Sequence, residues 1–318
     1  MTGQALIRIG TRGSPLALVQ AAWVRERLAA AWPELAADGA VEIVPIKTTG
    51  DRITDRSLAD AGGKGLFTKE IEEALRDRRV DVAVHSLKDV ETRLPDGLEI
   101  DCVPAREDPR DVLVAEGEGA PRSLAAIPRG ATVGTSSLRR RAQVLALRPD
   151  LRVVEWRGNV DTRIQRLARG EAAATLLALA GLKRLGRDVA RWGVLEAAEM
   201  LPAVAQGALG IERRADDERV ARYLAPLGDR ASLLAVTAER AFLAALDGSC
   251  RTPIAALARL DGGDRLAFDG LVASPDGTRV ERIARGGAAA DAAAIGRDAG
   301  AEIRRRVGER FFSTASPA

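Results

Sequence analysis

Short apolar segments alternate with helical segments along most of the chain, and this alternation constrains the fold more than any other feature. Such alternation is typical of α/β units, in which helices cover a largely parallel sheet. The polar residues 104–110, with a proline near each end, interrupt the pattern, which then restarts. The sequence therefore predicts two α/β domains. The predicted strands are 6–9, 41–46, 80–84 and 98–103 before the interruption, and 111–115, 131–134, 151–155 and 175–179 after it. The predicted helices are 15–32, 68–78 and 137–147.

The last third of the chain has a different pattern, which begins after a second break near Leu201-Pro202. Strands follow one another there without intervening helices, and this indicates a small α+β domain. The predicted elements are helices 231–246 and 288–307 and strands 254–260, 265–273 and 278–283.

Composition excludes several classes of protein. The 318 residues are 46% hydrophobic and 29% charged, which suits two or three globular domains. One histidine and two distant cysteines lack metal-ligand spacing, so we expect no metal site. A net charge of +3 and 3% aromatic residues argue against a nucleic-acid partner. Because no membrane span or signal peptide is visible, we expect a cytoplasmic protein with reduced thiols and no membrane partner.

A polar cluster follows the apolar strand at 80–84. His85, Ser86, Lys88 and Asp89 come together where that strand should end. Ligands of open α/β sheets bind outside the carboxyl ends of strands, so Asp89 is a carboxylate at the mouth of a predicted site. The alternative is a charged loop with a solvated ion pair.

Basic residues are concentrated between Gly134 and Trp192, a segment with twelve arginines and one lysine against five acids. Three turns that follow predicted strands carry the relevant arginines, so we expect them along one edge of the sheet. Guanidinium groups at such an edge bind carboxylates or phosphates, and the implied ligand has several anionic groups. The alternative is a set of scattered surface arginines. The arginines at these turns are Arg139, Arg140, Arg157, Arg163 and Arg184.

Two loops of the first domain complete the predicted site. The strand–turn–helix pattern around 10–14 places Arg12 at a strand end, and we expect it to face Arg139 and Arg157 across a cleft. The glycine-rich segment 62–65 lacks the spacing of a nucleotide-binding loop. Its Lys64 is therefore interpreted as part of a mobile loop or lid at the edge of the cleft.

The two cysteines have different settings. Cys102 lies within a predicted apolar strand and should be buried. Cys250 lies in a turn beside Arg251, a neighbour that favours the thiolate. Since His85 is the only histidine, it is the only imidazole base available to Cys250. We interpret Cys250 either as a nucleophile or as a point of covalent attachment.

A set of motifs that runs in order along nearly the whole chain resembles the porphobilinogen deaminase (hydroxymethylbilane synthase) family. Each motif alone is weak, whereas the set is highly specific. The motifs are TRGSPLAL at 11–18, GGKGLF at 62–67, VHSLKDV at 84–90, REDPRD at 106–111, GTSSLRR at 134–140, RGNV at 157–160, AGLKRLG at 180–186, LPAV at 201–204 and QGA at 206–208.

The resemblance implies an α/β fold with two periplasmic-binding-protein-like α/β domains around a cleft and a small C-terminal α+β domain. The implied domains are 1–104 with 203–225, then 105–202, then 226–318. The implied enzyme is a monomeric transferase of porphyrin and heme biosynthesis. It joins four molecules of its partner porphobilinogen head to tail, releases ammonia and frees the linear tetrapyrrole hydroxymethylbilane.

The resemblance also implies roles for single residues. It implies a dipyrromethane cofactor, itself made from porphobilinogen, in thioether linkage to Cys250. The catalytic carboxylate matches Asp89. The cofactor-binding positions match Ser86, Lys88, Thr135, Ser137, Arg139 and Arg140. The positions that bind substrate or the growing chain match Arg12, Ser14, Lys64, Arg157, Arg163 and Arg184.

The implied chemistry agrees with the charges in the sequence. Each porphobilinogen brings an acetate and a propionate, so an arginine-lined cleft suits the growing chain. Loss of ammonia leaves a cation that a fixed carboxylate can stabilise. This chain departs from the usual family residues at Asp60, Glu91, Ala205 and Ser249. The alternative function is a non-enzymatic, two-lobed anion-binding protein, against which the turn around Cys250 argues.

Overall fold

The structure is a computed structural model, and it describes residues 5–52, 65–248, 252–308 and 311. The chain forms two compact units. The first comprises Met1–Arg106 and Ala208–Leu233, and the second comprises Glu107–Gly207 and Leu234–Ala318. The three domain boundaries implied by the family resemblance stay a prediction.

Strands and helices alternate through most of the described residues. The strands are β1 (Ile7–Arg12), β2 (Val41–Ile46), β3 (Val82–Ser86), β4 (Leu98–Cys102), β5 (Asp111–Val114), β6 (Thr132–Gly134), β7 (Arg152–Val154), β8 (Ala174–Ala178), β9 (Gly193–Leu195), β10 (Leu209–Arg214), β11 (Ile254–Leu260), β12 (Arg265–Ala273) and β13 (Val280–Ala288). The α-helices are α1 (Pro15–Ala31), α2 (Thr49–Arg52), α3 (Lys69–Arg76), α4 (Leu138–Leu147), α5 (Val160–Ala168), α6 (Leu179–Arg184), α7 (Glu218–Leu224), α8 (Arg230–Ala245) and α9 (Ala292–Val307). None of the described helices is long and apolar enough to cross a membrane.

The sheet of the first unit has the strand order β2-β1-β3-β10-β4. Strand β1 runs parallel to β2 and β3, and β10 runs antiparallel to β3 and β4. Val82 and Val84 pack with Val24 of α1 on one face, whereas Ala83 packs with Ile71 of α3 on the other. This alternation is what a strand covered on both faces requires. The carboxyl ends of β1 and β3 therefore meet at one edge of the sheet.

Helix α1 begins as the sequence predicts. The hydroxyl of Ser14 accepts a hydrogen bond from the backbone N–H of Ala17 at 3.3 Å, and Pro15 occupies the first turn. Proline suits this position because its missing N–H would have no partner within the helix. The cap directs the helix away from the end of β1, where Arg12 is located.

The larger sheet of the second unit has the order β7-β6-β8-β5-β9. Its three neighbouring strands β7, β6 and β8 are parallel, and β5 is antiparallel to β8 and β9. The turns that follow β6, β7 and β8 therefore lie at one edge, as the sequence predicts for its three basic turns.

The remaining sheet of the second unit is antiparallel, with the order β11-β12-β13. Helix α9 packs against β12 and β13, and Phe242 of α8 contacts Phe268 of β12. Gly296 lets α9 approach α8 closely, because a Cβ at this position would lie 2.0 Å from the carbonyl oxygen of Ala238. Strand β13 extends past the predicted end at 283, through Gly286 and Gly287, because its pairing with β12 overrides their low strand propensity.

The predicted fold class is confirmed: the chain is α/β, with two mixed five-stranded sheets and a small C-terminal α+β part. Strands β9 and β10 are absent from the sequence prediction. Cys102 is buried as predicted, and burial raises the pKa of its thiol to about 12, with a smaller contribution from Asp101.

Candidate functional site

The turn after β3 presents Asp89. A single 3-10 turn, Leu87–Asp89, follows the strand directly. Leu87 is buried and its N–H donates to the carbonyl of Ala208 at 3.0 Å, which fixes the start of the turn. Lys88 is half-buried and Asp89 is exposed. The sequence therefore placed this carboxylate correctly at a strand end.

Asp89 lies in a pocket of the first unit that includes three other predicted site residues, Arg12, Ser14 and Ser86. Further lining residues come from the two helices flanking the sheet edge. The Ser86 hydroxyl and the Gln20 side-chain amide are 3.0 Å apart and hydrogen-bonded. The other residues lining the pocket are Leu16, Ala17, Phe67, Thr68, Val84 and His85.

Arg12 is held by two partners that the sequence analysis did not identify. Its Nη2 lies 2.5 Å from Asp51 Oδ1, and its guanidinium lies 4.1 Å from the centre of the Phe67 ring. Burial alone would raise the pKa of Asp51, but hydrogen bonds from Arg12 and Thr48 outweigh burial and lower it. Asp51 is therefore a charged partner that orients Arg12 toward the pocket. Its only sequence signal is a position shortly after β2, which pairs with β1.

A buried cluster in the second unit joins Arg139 and Arg140 to Asp111. Arg139 Nη1 lies 2.7 Å from Asp111 Oδ2, and Arg140 Nη2 lies 2.7 Å from Oδ1. Gln206 Nε2 donates to the same Oδ1 at 2.9 Å. Burial opposes ionisation of Asp111, but the two guanidinium groups outweigh it and hold its pKa well below the usual range. The sequence patterns indicated both arginines as site residues but did not indicate Asp111 or Gln206.

Arg139 and Arg140 differ in what they can still bind. The guanidinium of Arg140 is occupied, since Nη1 donates to the Leu176 carbonyl at 2.8 Å and Nε and Nη2 donate to Asp111. By contrast, Nε of Arg139 is buried and has no hydrogen-bond partner among the described residues. An orphaned buried donor of this kind suits an anionic group that arrives from outside the protein.

Two small hydroxyl residues shape the start of α4. Ser137 is the N-cap and accepts a hydrogen bond from the N–H of Arg140 at 3.4 Å. Thr135 is buried, and its hydroxyl accepts from the N–H of Ser137 at 3.2 Å. The turn after β6 is thus fixed by short-range contacts before any ligand binds.

The other arginines of this sheet edge form a like-charged cluster. Burial lowers the pKa of Arg163 to about 10, and repulsion from Arg140, Arg157 and Arg166 adds to the effect. Arg163 Nε donates to the Gly158 carbonyl at 2.9 Å. Such an arrangement favours binding of a carboxylate, which would stabilise the charged guanidinium.

Arg157 and Arg184 each have protein partners at this edge. Arg157 Nε donates to Glu155 at 2.8 Å, and Arg184 Nη2 donates to the Gly207 carbonyl at 2.7 Å. Burial lowers the pKa of Arg184, and Glu107 partly offsets this. Both side chains are half-buried, so each retains an accessible face.

Two predicted site residues, Lys64 and Cys250, lie outside the described residues. Of the others, Arg12, Ser14, Ser86 and Asp89 meet in one pocket. The expectation that Arg12 faces the arginines of the second unit stays a prediction.

Comparison with known proteins identifies the family. The model described as porphobilinogen deaminase, dipyromethane cofactor binding domain, matches residues 7–222, and that of the porphobilinogen deaminase C-terminal domain matches 233–305. The chain belongs to the porphobilinogen deaminase family. The porphobilinogen deaminase of Paracoccus denitrificans is 58% identical, with 96% of each chain covered. The chloroplastic porphobilinogen deaminase of Oryza sativa is 53% identical, with 98% of this chain and 86% of the relative covered.

Among solved structures, a periplasmic binding protein of Salmonella typhimurium matches 72% of this chain and 94% of its own length, with 13% identity and a TM-score of 0.40. The family models and the relatives confirm the predicted activity: the chain is a porphobilinogen deaminase-type transferase of tetrapyrrole and heme biosynthesis. The alternative of a non-enzymatic anion-binding protein is not favoured.

The family model that matches residues 7–222 is described as a dipyromethane cofactor binding domain, so family membership implies a dipyrromethane cofactor. The described residues fit such a group. Its acetate and propionate side chains need buried cationic donors, and the unpaired Nε of Arg139 is one. The cluster around Arg163 provides further positive charge with accessible space.

Proposed function

We propose that Asp89 is the catalytic carboxylate with which this chain performs the porphobilinogen deaminase reaction. Loss of ammonia from porphobilinogen produces positive charge, and a carboxylate fixed at a pocket stabilises such charge and can take up or deliver a proton. Asp89 is exposed at the pocket that also contains Arg12 and Ser86. A substrate whose acetate or propionate binds Arg12 would bring its reacting carbon into the same pocket.

The observation that carries the proposal is the arginine cluster of the second unit. Arg163 lies among Arg140, Arg157 and Arg166; burial lowers its pKa and repulsion from these arginines adds to the effect, so an incoming carboxylate would stabilise its charge. We assign Arg157, Arg163 and Arg184 to the carboxylates of incoming substrate and growing chain, together with Arg12, Ser14 and Lys64 of the first unit.

Cofactor binding is assigned to a second group of residues. When bound, the dipyrromethane supplies the pyrrole carbon from which the chain is extended. Arg139 would hold a carboxylate through its available Nε, and Arg140, whose guanidinium already donates to Asp111 and Leu176, would contribute its positive charge. Thr135 and Ser137 keep the turn before α4 in a fixed shape. The remaining assignments to cofactor binding are Ser86, Lys88 and the attachment site Cys250.

Attachment can be tested with the two cysteines as matched variants. Cys250→Ser should give folded protein without a covalent pyrrole, because a hydroxyl does not replace the thiolate as nucleophile. Cys102→Ala should keep the adduct, since the Cys102 thiol is buried and its pKa is raised to about 12. Intact mass spectrometry of both proteins from a porphobilinogen-producing host measures the adduct. Recovery of two pyrrole units on the Cys250→Ser protein would show that another residue is the attachment site.

The two arginine groups should respond differently to substitution. A charge-assisted contact in a desolvated site is worth roughly 1.5–3 kcal/mol. Arg139→Lys and Arg140→Lys keep a positive charge near Asp111 but lose the guanidinium fork, and we expect protein that lacks the adduct. Arg12→Lys and Arg157→Lys should keep the adduct and stall elongation, so that mixing with porphobilinogen leaves enzyme with too few added pyrroles.

Arg141→Lys is the matched control for this experiment, because Arg141 is exposed on the same helix turn. It should load and turn over like the wild type. Mass spectra taken before and after addition of porphobilinogen separate loading from elongation. The division of roles is wrong if the Arg12 and Arg157 variants lack the adduct while the Arg139 and Arg140 variants carry it and turn over normally.

We further propose three domains with the boundaries given above, a monomeric state and a cytoplasmic location. The described strands form three separate sheets, which supports the domain division. The free, buried thiol of Cys102 is compatible with a reducing compartment. Light scattering of the purified protein measures the oligomeric state.

A further inference from the structure

A buried polar contact lies beside the pocket, between His85 of β3 and Glu212 of β10. His85 Nε2 is 3.0 Å from Glu212 Oε2, and the two side chains are 5% and 0% exposed. Alternation along β3 directs Ala83 and His85 to the face that α3 covers. Glu212 pairs with Ala83 in the register of β10 and β3, so it reaches His85 diagonally on that face.

Stability does not explain the presence of Glu212 in this place. Its second carboxylate oxygen, Oε1, is buried with no partner among the described residues. Burying a carboxylate with incomplete hydrogen bonding is unfavourable, and apolar residues of similar volume often serve as well or better. The same face carries an apolar cluster that includes Val80, Ala83 and Leu98, and another buried charge on it, Arg214, donates to the carbonyls of Leu75 and Val80 at 2.9 and 2.8 Å.

A second acidic group faces the same histidine. The pKa of Glu72 on α3 is raised, mainly by burial and further by repulsion from Glu212. A hydrogen bond from Thr68 and the electrostatic interaction with His85 partly offset this rise. Two carboxyl groups from different elements are therefore close to one imidazole: Glu212 is in hydrogen-bonding contact with it, and Glu72 interacts with it electrostatically.

The imidazole in turn lies next to the proposed catalytic turn. His85 lines the same pocket as Asp89 and Arg12. It immediately precedes Ser86, the last residue of β3, after which the 3-10 turn to Asp89 begins. Rotation of the His85 ring would therefore move a side chain that forms part of the pocket wall beside Asp89.

We propose that Glu212 is a positioning residue for the reaction and acts through His85. The contact orients the imidazole, and the imidazole fixes the end of β3 from which Asp89 projects. This inference rests on the proposed role of Asp89.

Glu212→Gln tests the inference, because glutamine keeps the shape of the side chain and removes the carboxylate. We expect kcat to fall roughly 10- to 100-fold, as for the loss of an outer partner that holds a site residue, with KM changed by less than about twofold. The covalent adduct should remain in the intact mass. A merely structural role would instead lower the melting temperature and leave kcat per folded molecule unchanged.

A spectroscopic signature makes the test independent of turnover. His85 is the only histidine of the chain, so one imidazole produces all side-chain histidine signals. In ¹⁵N-labelled protein the Nε2 resonance should shift, and its proton should exchange faster with water, in Glu212→Gln. In the double variant His85→Gln/Glu212→Gln the loss in kcat should equal that of His85→Gln alone, since the two residues act in series.

Two controls complete the design. Glu239→Gln alters a glutamate of equal burial, whose carboxylate accepts from the backbone N–H groups of Ala205 and Ala258, and should leave the His85 resonance unchanged. Asp89→Asn, measured in parallel, separates the catalytic role of Asp89 from the positioning role of Glu212. If Asp89→Asn is fully active, the role of Asp89 itself fails. If Asp89→Asn is impaired while Glu212→Gln keeps wild-type kcat, or if the losses in the double variant add, the positioning role of Glu212 is overturned.

Discussion

Asp89→Asn should lower kcat by about 100- to 1,000-fold, the usual effect of removing one preorganised electrostatic contact from a transition state. Asparagine has the same shape as aspartate but lacks the negative charge that stabilises the cation left by loss of ammonia. Asp89 is exposed and lies at the end of a turn fixed by Leu87, so the substitution should not disturb the fold. Steady-state kinetics with porphobilinogen and the intact mass of the same sample measure rate and cofactor loading together.

Two further variants show whether loss of the negative charge of Asp89 causes the fall in kcat. Asp89→Glu retains the charge at a displaced position and should keep more activity than Asp89→Asn. Asp96→Asn removes an exposed carboxylate of the same unit that is not among the residues lining the pocket, and it should behave like the wild type. Equal kcat for Asp89→Asn and wild type, with full loading in both, would show that the charge has no role in the reaction.

Local patterns in the sequence predicted most of the elements that carry the site. Ser14 and Pro15 predicted the start of α1, and the apolar run before His85 predicted β3. Both predictions succeeded because caps and short apolar strands depend on neighbouring residues alone. The three basic turns could be assigned to one edge of the sheet because each follows a predicted strand of an α/β unit. The family motifs then gave the arginines their expected roles.

These local patterns did not predict contacts between segments that are distant in the sequence. Strand β10 was missed because Glu212, Arg213 and Arg214 make its second half look like a solvated loop. In the structure these charges are paired, for example Arg213 with Asp101 at 2.6 Å and Glu212 with His85 at 3.0 Å. Only the tertiary fold brings such partners together, and tertiary context overrides strand propensity.

Asp111 is the most consequential of the residues that the sequence analysis missed, and Asp111→Asn should lower the free energy of unfolding by about 3–5 kcal/mol at pH 7. The carboxylate is fully buried and accepts hydrogen bonds from Arg139, Arg140 and Gln206. Its removal leaves two guanidinium groups buried without their counter-charge. Each kcal/mol corresponds to roughly 2–4 °C in melting temperature for a unit of this size. Thermal denaturation followed by circular dichroism measures the loss.

The pH dependence identifies the cause of that loss. The folded-state pKa of Asp111 is depressed well below the unfolded value, so its contribution is fully present above the unfolded pKa and is lost as the pH falls through the folded pKa. An unfolded aspartate titrates near about 3.9. The stability difference between wild type and Asp111→Asn should therefore be constant from neutral pH to about pH 5 and shrink below about pH 4.

Asp269→Asn is the matched control, because Asp269 also pairs with an arginine, Arg259 at 2.7 Å, but both side chains are about half exposed, at 42% and 52%. Exposed pairs contribute little, so this variant should change the melting temperature only slightly. A stability loss in Asp111→Asn that is the same at pH 7 and pH 3 would trace the effect to altered packing and not to charge. A loss that shrinks on acidification would show that the ion pairs of Asp111 keep Arg139 and Arg140 in place before any cofactor carboxylate reaches them.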